Sequence, residues 1–484
     1  MLRDLLPEVN LSTDVEINGL ALDSRQINSG DLFFALSGSR HDGREFIQEA
    51  VERNAAAVVY ESDANDGQEI DVPIPCIGLA NASSKVGEIA SRYFGNPSHQ
   101  MFVIAVTGTN GKTSCSHFIS EALMAVNRKC GVIGTMGTGF PGALEASVLT
   151  TPNPINLQQA LARILAAGGT AVALEASSHG LLQNRLKGTS IDVAILTNLT
   201  RDHLDYHSSL AEYRNAKRLL FEWPGLKSAV LNLDDEFGAE LAENLDDEVQ
   251  VLTYSTASTD ADVYCEEPIY HADGVRGELV TPWGKCRFQL PLLGDFNLAN
   301  VLAAAGVLGL MEYRIAEIVH AIQQLRTVRG RMDVLRYANA PTVVIDYAHT
   351  PDALEKVIQA TRRHCIGNLW CVFGCGGDRD QGKRPLMGEV AERLADYVVL
   401  TDDNPRSEPS VKIVNEILEG ISDKRKVYVE TDRANAIKHA LSNASVSDMV
   451  LIAGKGHEDY QEISGSRIAY SDYDQVEKYL AGEH

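Results

Sequence analysis

The sequence lacks any apolar run long enough to cross a bilayer. Its 484 residues contain nearly apolar stretches such as 301–311, whereas a membrane-spanning helix needs about 20 apolar residues in succession. The N-terminus carries Arg3, Asp4 and Glu8 among its leucines, so it has no uninterrupted apolar core of the kind found in signal peptides. We therefore expect a soluble, cytoplasmic protein without membrane insertion.

Positive charge and cysteine motifs are also scarce. The chain has 43 Lys and Arg against 66 Asp and Glu, a net charge of −23. Such a chain is a poor candidate for nucleic-acid binding, so any anionic ligand must be held by a local site. The eight cysteines form no CxxC pair and no zinc-ribbon spacing, and we assign them no chemistry. Hydrophobic residues make up 44% of the chain, which is enough for ordinary globular cores.

Alternating strand and helix patterns divide the chain into three segments. The first, 1–98, mixes short strands with two helical stretches and ends in a turn cluster at 95–98. The second, 99–331, alternates apolar strands with helices, except for a meander of short strands at 261–290. The third, 332–484, contains five strand candidates separated mostly by helical stretches. This alternation predicts an α/β protein with largely parallel sheets covered by helices.

Polar or glycine-rich sequence follows four of the five strands of the third segment. These stretches are 346–349, 374–378, 402–406 and 454–458. Ligands of open α/β sheets bind outside the carboxyl ends of the strands, so we expect these residues to converge on one edge. They are more than turn residues, because charged groups follow four strands of five.

The clearest motif is a glycine-rich loop between a strand at 101–106 and a helix. Residues 108–113 read Gly-Thr-Asn-Gly-Lys-Thr, which provides backbone amides at a helix N-terminus for phosphate, Lys112 for charge and the Thr113 hydroxyl for Mg²⁺. The longer P-loop pattern needs glycine at Val106, so this is a shorter form. The loop predicts phosphate binding without choosing between a transporter ATPase, a kinase, a GTPase and a ligase.

Acidic and histidine residues end the next two strands. Glu175 begins the sequence EASSHG, and His203 and His207 lie in TRDHLDYH at 200–207. Glu175 and His203 are candidate ligands on the Mg²⁺ side of the nucleotide, although Mg²⁺ prefers oxygen ligands. A zinc site at His203 and His207 ranks lower, because the general-base glutamate of HExxH is missing and a P-loop lies upstream.

Lys217 is predicted to lie on or beside the inward face of a helix. Tyr213, Ala216, Lys217 and Leu220 form one helical stripe. Such a lysine usually extends its ammonium to solvent. The sharper hypothesis is a desolvated lysine whose lowered pKa leaves a neutral amine available for modification.

Together these residues resemble the Mur ligase family, ATP-dependent amide-bond-forming ligases of peptidoglycan synthesis. The resemblance covers nearly the whole chain, through Lys217 and motifs at 22–25, 107–114, 150–151, 175–180, 200–207, 294–297, 330–331, 346–356, 374–380, 403–406 and 454–461. It implies three domains: an N-terminal UDP-binding domain (1–98), a central P-loop ATPase domain (99–331) and a Rossmann-like C-terminal domain (332–484) that closes over the site.

The resemblance also implies the substrates: ATP, UDP-N-acetylmuramoyl-L-alanyl-D-glutamate and meso-diaminopimelate, with two Mg²⁺ ions and a monomeric enzyme. Lys112, Glu175, His203 and Lys217 would be catalytic. ATP would be bound by Gly108, Thr109, Asn110, Gly111, Lys112, Thr113, Ser114, Asn297, Asn300, Arg331 and Asp346. The metal ligands would be Thr113, Glu175, His203 and Lys217, the last as a carbamate.

The UDP-linked substrate and the amino acid would have separate sites. In family terms the UDP-linked substrate would contact Leu22, Ser24, Ser39, Arg40, His41, Thr150, Thr151, Ser177, Gln183 and Arg185. The diaminopimelate site would consist of Arg379, Asp403, Asn404, Pro405, Arg406, Gly454 and Glu458. A guanidinium binds a carboxylate through two hydrogen bonds, so Arg406 suits the distal carboxylate of diaminopimelate, and Glu458 its distal ammonium. The alternative is a structural Arg406 paired with a nearby acid.

Four other functions would account for part of these motifs. The nearest is the same reaction with L-lysine or another third amino acid. MurF ligases share a similar N-terminal segment, but the motifs at 403–406 and 454–458 argue against them. Folylpolyglutamate synthases share the P-loop but need no UDP-binding domain. A regulatory nucleotide-binding protein without catalysis would not need Lys112, Glu175, His203 and Lys217 together.

Overall fold

The computed structural model describes residues 1–38, 42–62, 70–202 and 206–480. They form two compact units, one of residues 1–254 and 306–311, the other of residues 255–305 and 312–484. Among the described residues, no helix is long and apolar enough to cross a membrane. The three domains bounded at 98 and 331 stay a prediction.

The first unit begins with a four-stranded parallel sheet in the order β1-β2-β3-β4. Its strand β2 is buried throughout, because helices cover the sheet. The elements are α1 (Leu2–Leu5), β1 (Gly19–Ala21), β2 (Asp31–Ala35), α2 (Ile47–Glu52), β3 (Ala57–Glu61), β4 (Cys76–Leu79) and α3 (Ala82–Tyr93).

A larger sheet follows in the same unit, with the order β12-β11-β10-β5-β9-β6-β7-β8. Strands β5 to β12 are Phe102–Thr107, Cys130–Gly134, Gly137–Phe140, Ala143–Glu145, Ala171–Glu175, Val193–Leu196, Ser228–Asn232 and Gln250–Ser255. Helices α4 to α8 are Lys112–Ala125, Pro154–Ala166, Ser178–Leu182, Leu210–Arg218 and Glu236–Asn244. The strands from β12 to β6 pair in parallel, whereas β6, β7 and β8 pair antiparallel.

The central position of β5 places the glycine-rich loop at the middle of this sheet. Five of its six residues are fully buried, as expected for a strand covered on both faces. Val106 aligns with Glu175 on β9, and Thr107 aligns with Leu196 on β10. The ends of these three strands therefore lie side by side.

The second unit contains an antiparallel meander and a six-stranded sheet. The meander consists of β13 (Val263–His271), β14 (Gly274–Thr281) and β15 (Gly284–Leu290). The sheet has the order β16-β17-β21-β18-β19-β20 and is parallel except for β16. Strands β16 to β21 are Asp333–Leu335, Thr342–Asp346, Leu369–Phe373, Tyr397–Leu400, Val427–Val429 and Met449–Ala453.

Helices α9 (Asp295–Leu310) and α10 (Ile315–Ile322) follow the meander in the chain. The helices that flank the six-stranded sheet are α11 to α15: Pro351–His364, Lys383–Leu394, Ser410–Leu418, Arg433–Asn443 and Asp472–Leu480. A hairpin after β21 consists of β22 (Tyr460–Ile463) and β23 (Ser466–Ala469). The predicted α/β class is confirmed. Strands β1, β4, β6 to β8, β16, β22 and β23 were not predicted, since they are short, glycine-rich or polar.

Candidate active site

The glycine-rich loop turns directly from β5 into α4. Gly111 precedes the helix with φ of +84°, a left-handed conformation that favours glycine. Gly108 has φ of +150°, and a Cβ there would lie 1.9 Å from Thr197 Oγ1. The loop therefore needs glycine at both positions, and the first amides of α4 face the space where an anion binds.

Residues at the end of β10 hold the loop in place. Thr197 Oγ1 donates to Asn110 O over 2.6 Å, and Asn110 N donates to Asn198 Oδ1 over 3.0 Å. Lys112 Nζ donates to the carbonyl oxygens of Gly108 and Thr109 over 2.8 and 2.9 Å. The lysine ammonium thus lies across the glycine-rich loop.

Glu175 ends β9 in contact with the helix that follows the loop. Its carboxylate is 1% exposed and accepts from Thr113 Oγ1 over 3.0 and 3.1 Å. It also accepts from Thr135 N over 2.8 Å and from Thr135 Oγ1 over 3.2 Å. The sequence predicts no role for Thr135, although Thr135 follows β6 directly and ligand-binding residues are expected at strand ends.

The contact of Thr113 with Glu175 fits a Mg²⁺ site. Both side chains offer oxygen, the ligand atom that Mg²⁺ prefers, and they adjoin the phosphate loop. Among the described residues, no three His, Cys, Asp or Glu side chains are grouped closely enough to hold a metal ion by themselves. His203, another predicted metal ligand, lies outside the described residues. His207 is buried, with Nε2 3.0 Å from Ser178 Oγ.

Lys217 is buried beside the glycine-rich loop. Its side chain is 1% exposed, Nζ donates to Gly108 O over 2.8 Å, and the ammonium lies 4.4 Å from the centre of the Tyr213 ring. Burial lowers the pKa of Lys217 well below its usual value, and the nearby positive charge of Lys112 lowers it further. The inward position expected from the helical stripe is therefore observed.

A cavity of about 240 Å³ joins these lysines to several predicted substrate contacts. Thr151 Oγ1 is 2.9 Å from Ser177 Oγ, and Arg185 Nη1 donates to Thr151 O over 2.7 Å. Gln183 Oε1 accepts from Arg185 over 2.6 Å. The cavity is lined by Lys112, Leu149, Thr150, Thr151, Ser177, Ser178, His179, Arg185, Tyr213 and Lys217.

A second cavity, of about 500 Å³, lies in the N-terminal part of the first unit. Leu22 and Ser24 line it, together with Phe33, Phe46 and Glu49. Ser24 Oγ donates to Glu49 Oε2 over 2.7 Å, which fixes the serine hydroxyl. The other predicted UDP contacts, Ser39, Arg40 and His41, lie outside the described residues.

The remaining predicted ATP contacts belong to the second unit. Asn297 and Asn300 are one turn apart on α9, and both are buried. Asn297 Oδ1 and Asn300 Nδ2 have no hydrogen-bond partner within the described part of the chain. Buried polar atoms rarely stay unpaired, so these two are suited to an external polar group.

Arg331 and Asp346 lie close together in the same unit. Asp346 accepts hydrogen bonds from the backbone amides of Met332 and Ala348, each 2.7 Å long. Burial raises the pKa of Asp346, while the charge of Arg331 lowers it. The Arg331 guanidinium lies 4.6 Å from the centre of the Tyr347 ring. Asp346 thus fixes the backbone that carries Arg331.

The predicted diaminopimelate residues form one cluster at the carboxyl ends of β19 and β21. Asp403 and Asn404 are buried, and Asn404 Nδ2 donates to Glu458 Oε2 over 3.0 Å. A Cβ at Gly454 would lie 3.0 Å from Asp403 Oδ2. Pro405 is also buried, whereas Arg379 is exposed. The convergence expected from the strand ends is observed.

Arg406 has a backbone φ of +51°, which is uncommon for a residue with a side chain. Its Nη1 donates to Gly377 O over 2.7 Å, and its Nε lies 3.3 Å from Glu462 Oε2. A Cβ at Gly376 would lie 2.9 Å from Arg406 Nη1 and 3.7 Å from Arg379 Cγ. The Arg406 guanidinium is thus held beside Gly376 and Gly377 and is paired in part with the carboxylate of Glu462.

Comparisons with known proteins agree with this geometry. The Mur ligase family catalytic domain matches residues 16–92, the Mur ligase middle domain residues 106–308, and the Mur ligase glutamate ligase domain residues 330–456. The UDP-N-acetylmuramoyl-L-alanyl-D-glutamate–2,6-diaminopimelate ligase of Pseudomonas aeruginosa is 48% identical over 480 residues, which cover 99% of this chain and 98% of that protein. The ligase of the same name from Coxiella burnetii is 45% identical over 476 residues, 97% of each chain.

Solved structures show the same architecture. A structure of a UDP-N-acetylmuramoyl-L-alanyl-D-glutamate–2,6-diaminopimelate ligase has a TM-score of 0.76 at 37% identity, over 100% of this chain and 99% of that one. The MurF ligase of Thermotoga maritima in complex with ADP has a TM-score of 0.65 at 19% identity, over 96% and 98% of the two chains, and shares the fold. The chain belongs to the Mur ligase family of ATP-dependent, amide-bond-forming ligases.

Proposed function

We propose that the chain joins meso-diaminopimelate to the D-glutamate γ-carboxylate of UDP-N-acetylmuramoyl-L-alanyl-D-glutamate at the expense of ATP, in peptidoglycan precursor synthesis. One observation carries the proposal: a single cavity is lined by the P-loop Lys112, the desolvated Lys217 and the predicted substrate contacts Thr150, Thr151 and Arg185. The relatives named for this reaction match along the whole chain.

The chemistry follows from the weakness of a carboxylate as an acyl donor. The γ-carboxylate attacks the γ-phosphorus of ATP, ADP leaves, and an acyl phosphate forms. The neutral amine of the incoming amino acid then attacks the acyl carbon, and inorganic phosphate leaves as the amide forms. Lys112 offsets the negative charge of the phosphoryl group in the first step. Water must be kept from the acyl phosphate, which it would hydrolyse.

Thr113 and Glu175 would hold Mg²⁺ beside the phosphates through their oxygen atoms. When bound, the ion neutralises charge on the transferring phosphoryl group. We propose a second ion held by Glu175, His203 and Lys217 after the lysine has reacted with CO₂ to form a carbamate. The low pKa of Lys217 supports this step, because only a neutral amine forms a carbamate.

Selection of the amino acid is proposed for the cluster at the ends of β19 and β21. Arg406 would bind the distal carboxylate, supported by Arg379, and Glu458 would bind the distal ammonium. Asp403, Asn404 and Gly454 complete this cluster. L-lysine has the distal ammonium but no distal carboxylate, so it would leave Arg406 without its ligand. The names of the relatives give no support to L-lysine as the natural substrate.

Phosphate release from ATP, measured with a panel of amino acids, tests the proposal. With Mg²⁺, ATP and the UDP-linked dipeptide present, we expect phosphate release when meso-diaminopimelate is added, far less release with L-lysine, and none without an amino acid. Equal turnover with L-lysine would contradict the specificity, and release without any amino acid would contradict the ligase reaction. The two-ion stoichiometry, the monomeric state and the cytoplasmic location stay predictions.

A further inference from the structure

A fully buried lysine lies at the centre of the proposed amino-acid site. Lys455 is the second residue after β21 and lies between two glycines, and its side chain is 0% exposed. Nζ donates to Asn404 Oδ1 over 3.0 Å and to Glu458 Oε2 over 3.3 Å, and it lies 3.5 Å from Asp403 Oδ1. A lysine is rarely buried to this degree unless its charge is paired.

The contacts of Lys455 engage its whole hydrogen-bonding capacity. An ammonium has three N–H donors and no acceptor, and here three oxygen atoms of three different side chains surround it. Because it is fully buried and directed at these side chains, Lys455 is placed to act through them rather than to touch a substrate.

The first consequence concerns the orientation of Asn404. Its Oδ1 accepts from Lys455 Nζ over 3.0 Å and from Glu462 N over 2.9 Å. With two donors on Oδ1, the amide nitrogen is directed to Glu458 Oε2, 3.0 Å away. The Lys455 ammonium and the Glu462 amide therefore together fix which end of the Asn404 amide faces Glu458. Both contacts on Glu458, from Asn404 and from Lys455, fall on Oε2.

The second consequence concerns charge. Asp403 and Glu458 bring two negative charges to the cluster and Lys455 brings one positive charge. The cluster thus carries one net negative charge, which matches one ammonium of a ligand. Without Lys455, two carboxylates would share a buried site with no cation between them, an arrangement that repels and reorients them.

We propose that Lys455 is a positioning residue that determines affinity for the distal end of the amino-acid substrate, by fixing Asp403, Asn404 and Glu458 around one site for an ammonium. This inference rests on the proposed function, since it assigns the cluster to the amino acid. The alternative is that Lys455 forms an ion pair that only stabilises the fold.

Steady-state kinetics of four variants separates the two. Lys455→Met keeps an unbranched side chain only one atom shorter and removes the charge and the donors. We expect the KM for meso-diaminopimelate to rise roughly tenfold to a hundredfold, from the loss of hydrogen bonds to charged groups. We expect kcat and the KM values for ATP and the UDP-linked dipeptide to stay within about twofold, since this cluster contacts neither of them in the proposal. Lys455→Gln, which keeps one amide donor, should lie between the wild type and Lys455→Met.

A double variant tests the charge balance. Lys455→Met/Asp403→Asn returns the cluster to one net negative charge, so its KM for meso-diaminopimelate should lie at or below that of Lys455→Met. An ion pair with only a structural role would show this non-additivity in the free energy of unfolding alone and would leave the KM for meso-diaminopimelate unchanged in all four variants. Asp403→Asn alone is the fourth variant and completes the cycle.

Two results would overturn the inference. One is an unchanged KM for meso-diaminopimelate in Lys455→Met or, where that variant does not fold, in Lys455→Gln. The other is an equal change in all three KM values together with a lower melting temperature. A wild-type protein that releases no phosphate with meso-diaminopimelate would instead contradict the proposed function, whatever the variants do.

Discussion

The hydroxyl of Thr135 links the proposed metal ligand to a proposed substrate contact, and its removal is a sharp test of the site. Thr135 Oγ1 lies 3.2 Å from Glu175 Oε2 and 3.0 Å from Thr150 Oγ1. Since a carboxylate only accepts, the hydroxyl donates to Glu175 and accepts from Thr150. Thr135→Val removes both bonds, keeps the shape of the side chain and leaves the backbone bond from Thr135 N to Glu175 intact.

The size of the effect follows from these two bonds. A hydrogen bond to a charged group contributes about 1.5–3 kcal/mol and a neutral one about 1 kcal/mol. The bond to Glu175 is long, and Thr135 N still holds the same carboxylate over 2.8 Å, so the low end applies. We expect the free energy of unfolding to fall by about 1–2 kcal/mol. Because Glu175 becomes less well oriented, we expect kcat/KM to fall about tenfold, which corresponds to about 1.4 kcal/mol.

Phosphate release measured across a range of Mg²⁺ concentrations is the assay, with thermal unfolding in parallel. The half-saturating Mg²⁺ concentration should rise, because Glu175 is a proposed ligand. Thr138→Val is the matched control: Thr138 lies three residues along the chain on β7, and the described structure gives its side chain no hydrogen bond. If the two variants respond to Mg²⁺ alike, Thr135 does not orient the site.

Three further results are expected. Lys217→Ala should lose most activity and be partly rescued by short carboxylic acids, and an unaffected variant would remove the carbamate from the mechanism. Burial, with the charge of Arg331, lowers the pKa of His457 from 6.5 to about 4. As the pH falls, the unfolded chain therefore takes up a proton on this histidine before the folded chain does. The free energy of unfolding then falls by at most about 3 kcal/mol between pH 6.5 and pH 4. His457→Gln should flatten the unfolding free energy over that range, and an unchanged slope would contradict the assignment. Arg433 and its aspartate partner are both fully buried, so Arg433→Met should lower the free energy of unfolding by about 3–5 kcal/mol. Arg425 belongs to an exposed ion pair of the same 2.7 Å length, so Arg425→Met should leave the melting temperature unchanged.

The parts of the site that depend on local sequence could be predicted. The glycine-rich loop needs only a strand, two glycines with unusual backbone angles and a helix, and all of these appear in consecutive residues. The inward position of Lys217 follows from the period of its own helix. The convergence of Asp403 and Glu458 follows from the rule on strand ends, although it needs their two strands to lie close together in one parallel sheet. Here only β18 separates β19 from β21.

The parts that depend on contacts between distant segments could not. Lys455 lies between two glycines in a loop, a context typical of a solvated lysine. Its burial results from Asp403 and Asn404, which lie about fifty residues earlier in the chain. Arg406 adopts its left-handed backbone conformation where its amide and carbonyl pair with the β22–β23 hairpin, a polar segment without a strand signature. Thr135 was missed because the strand before it contains two glycines.

Lys217 and Lys455, the two lysines that are fully buried in the described part of the chain, show how surroundings assign different chemistry to one side chain. Lys455 has two carboxylates and an amide oxygen around its ammonium, so its positive charge is compensated where it lies. Lys217 has a backbone carbonyl, an aromatic ring and the cation of Lys112 nearby. The charge of Asp202 raises the pKa of Lys217, but burial and Lys112 lower the pKa by more, so this environment disfavours a second cation. The neutral amine favoured by this environment could react with CO₂ and release a proton, which would place an anion next to Lys112, where the interaction would be attractive. The same argument predicts that Lys455 does not form a carbamate, because an anion there would join Asp403 and Glu458 without a cation to balance them.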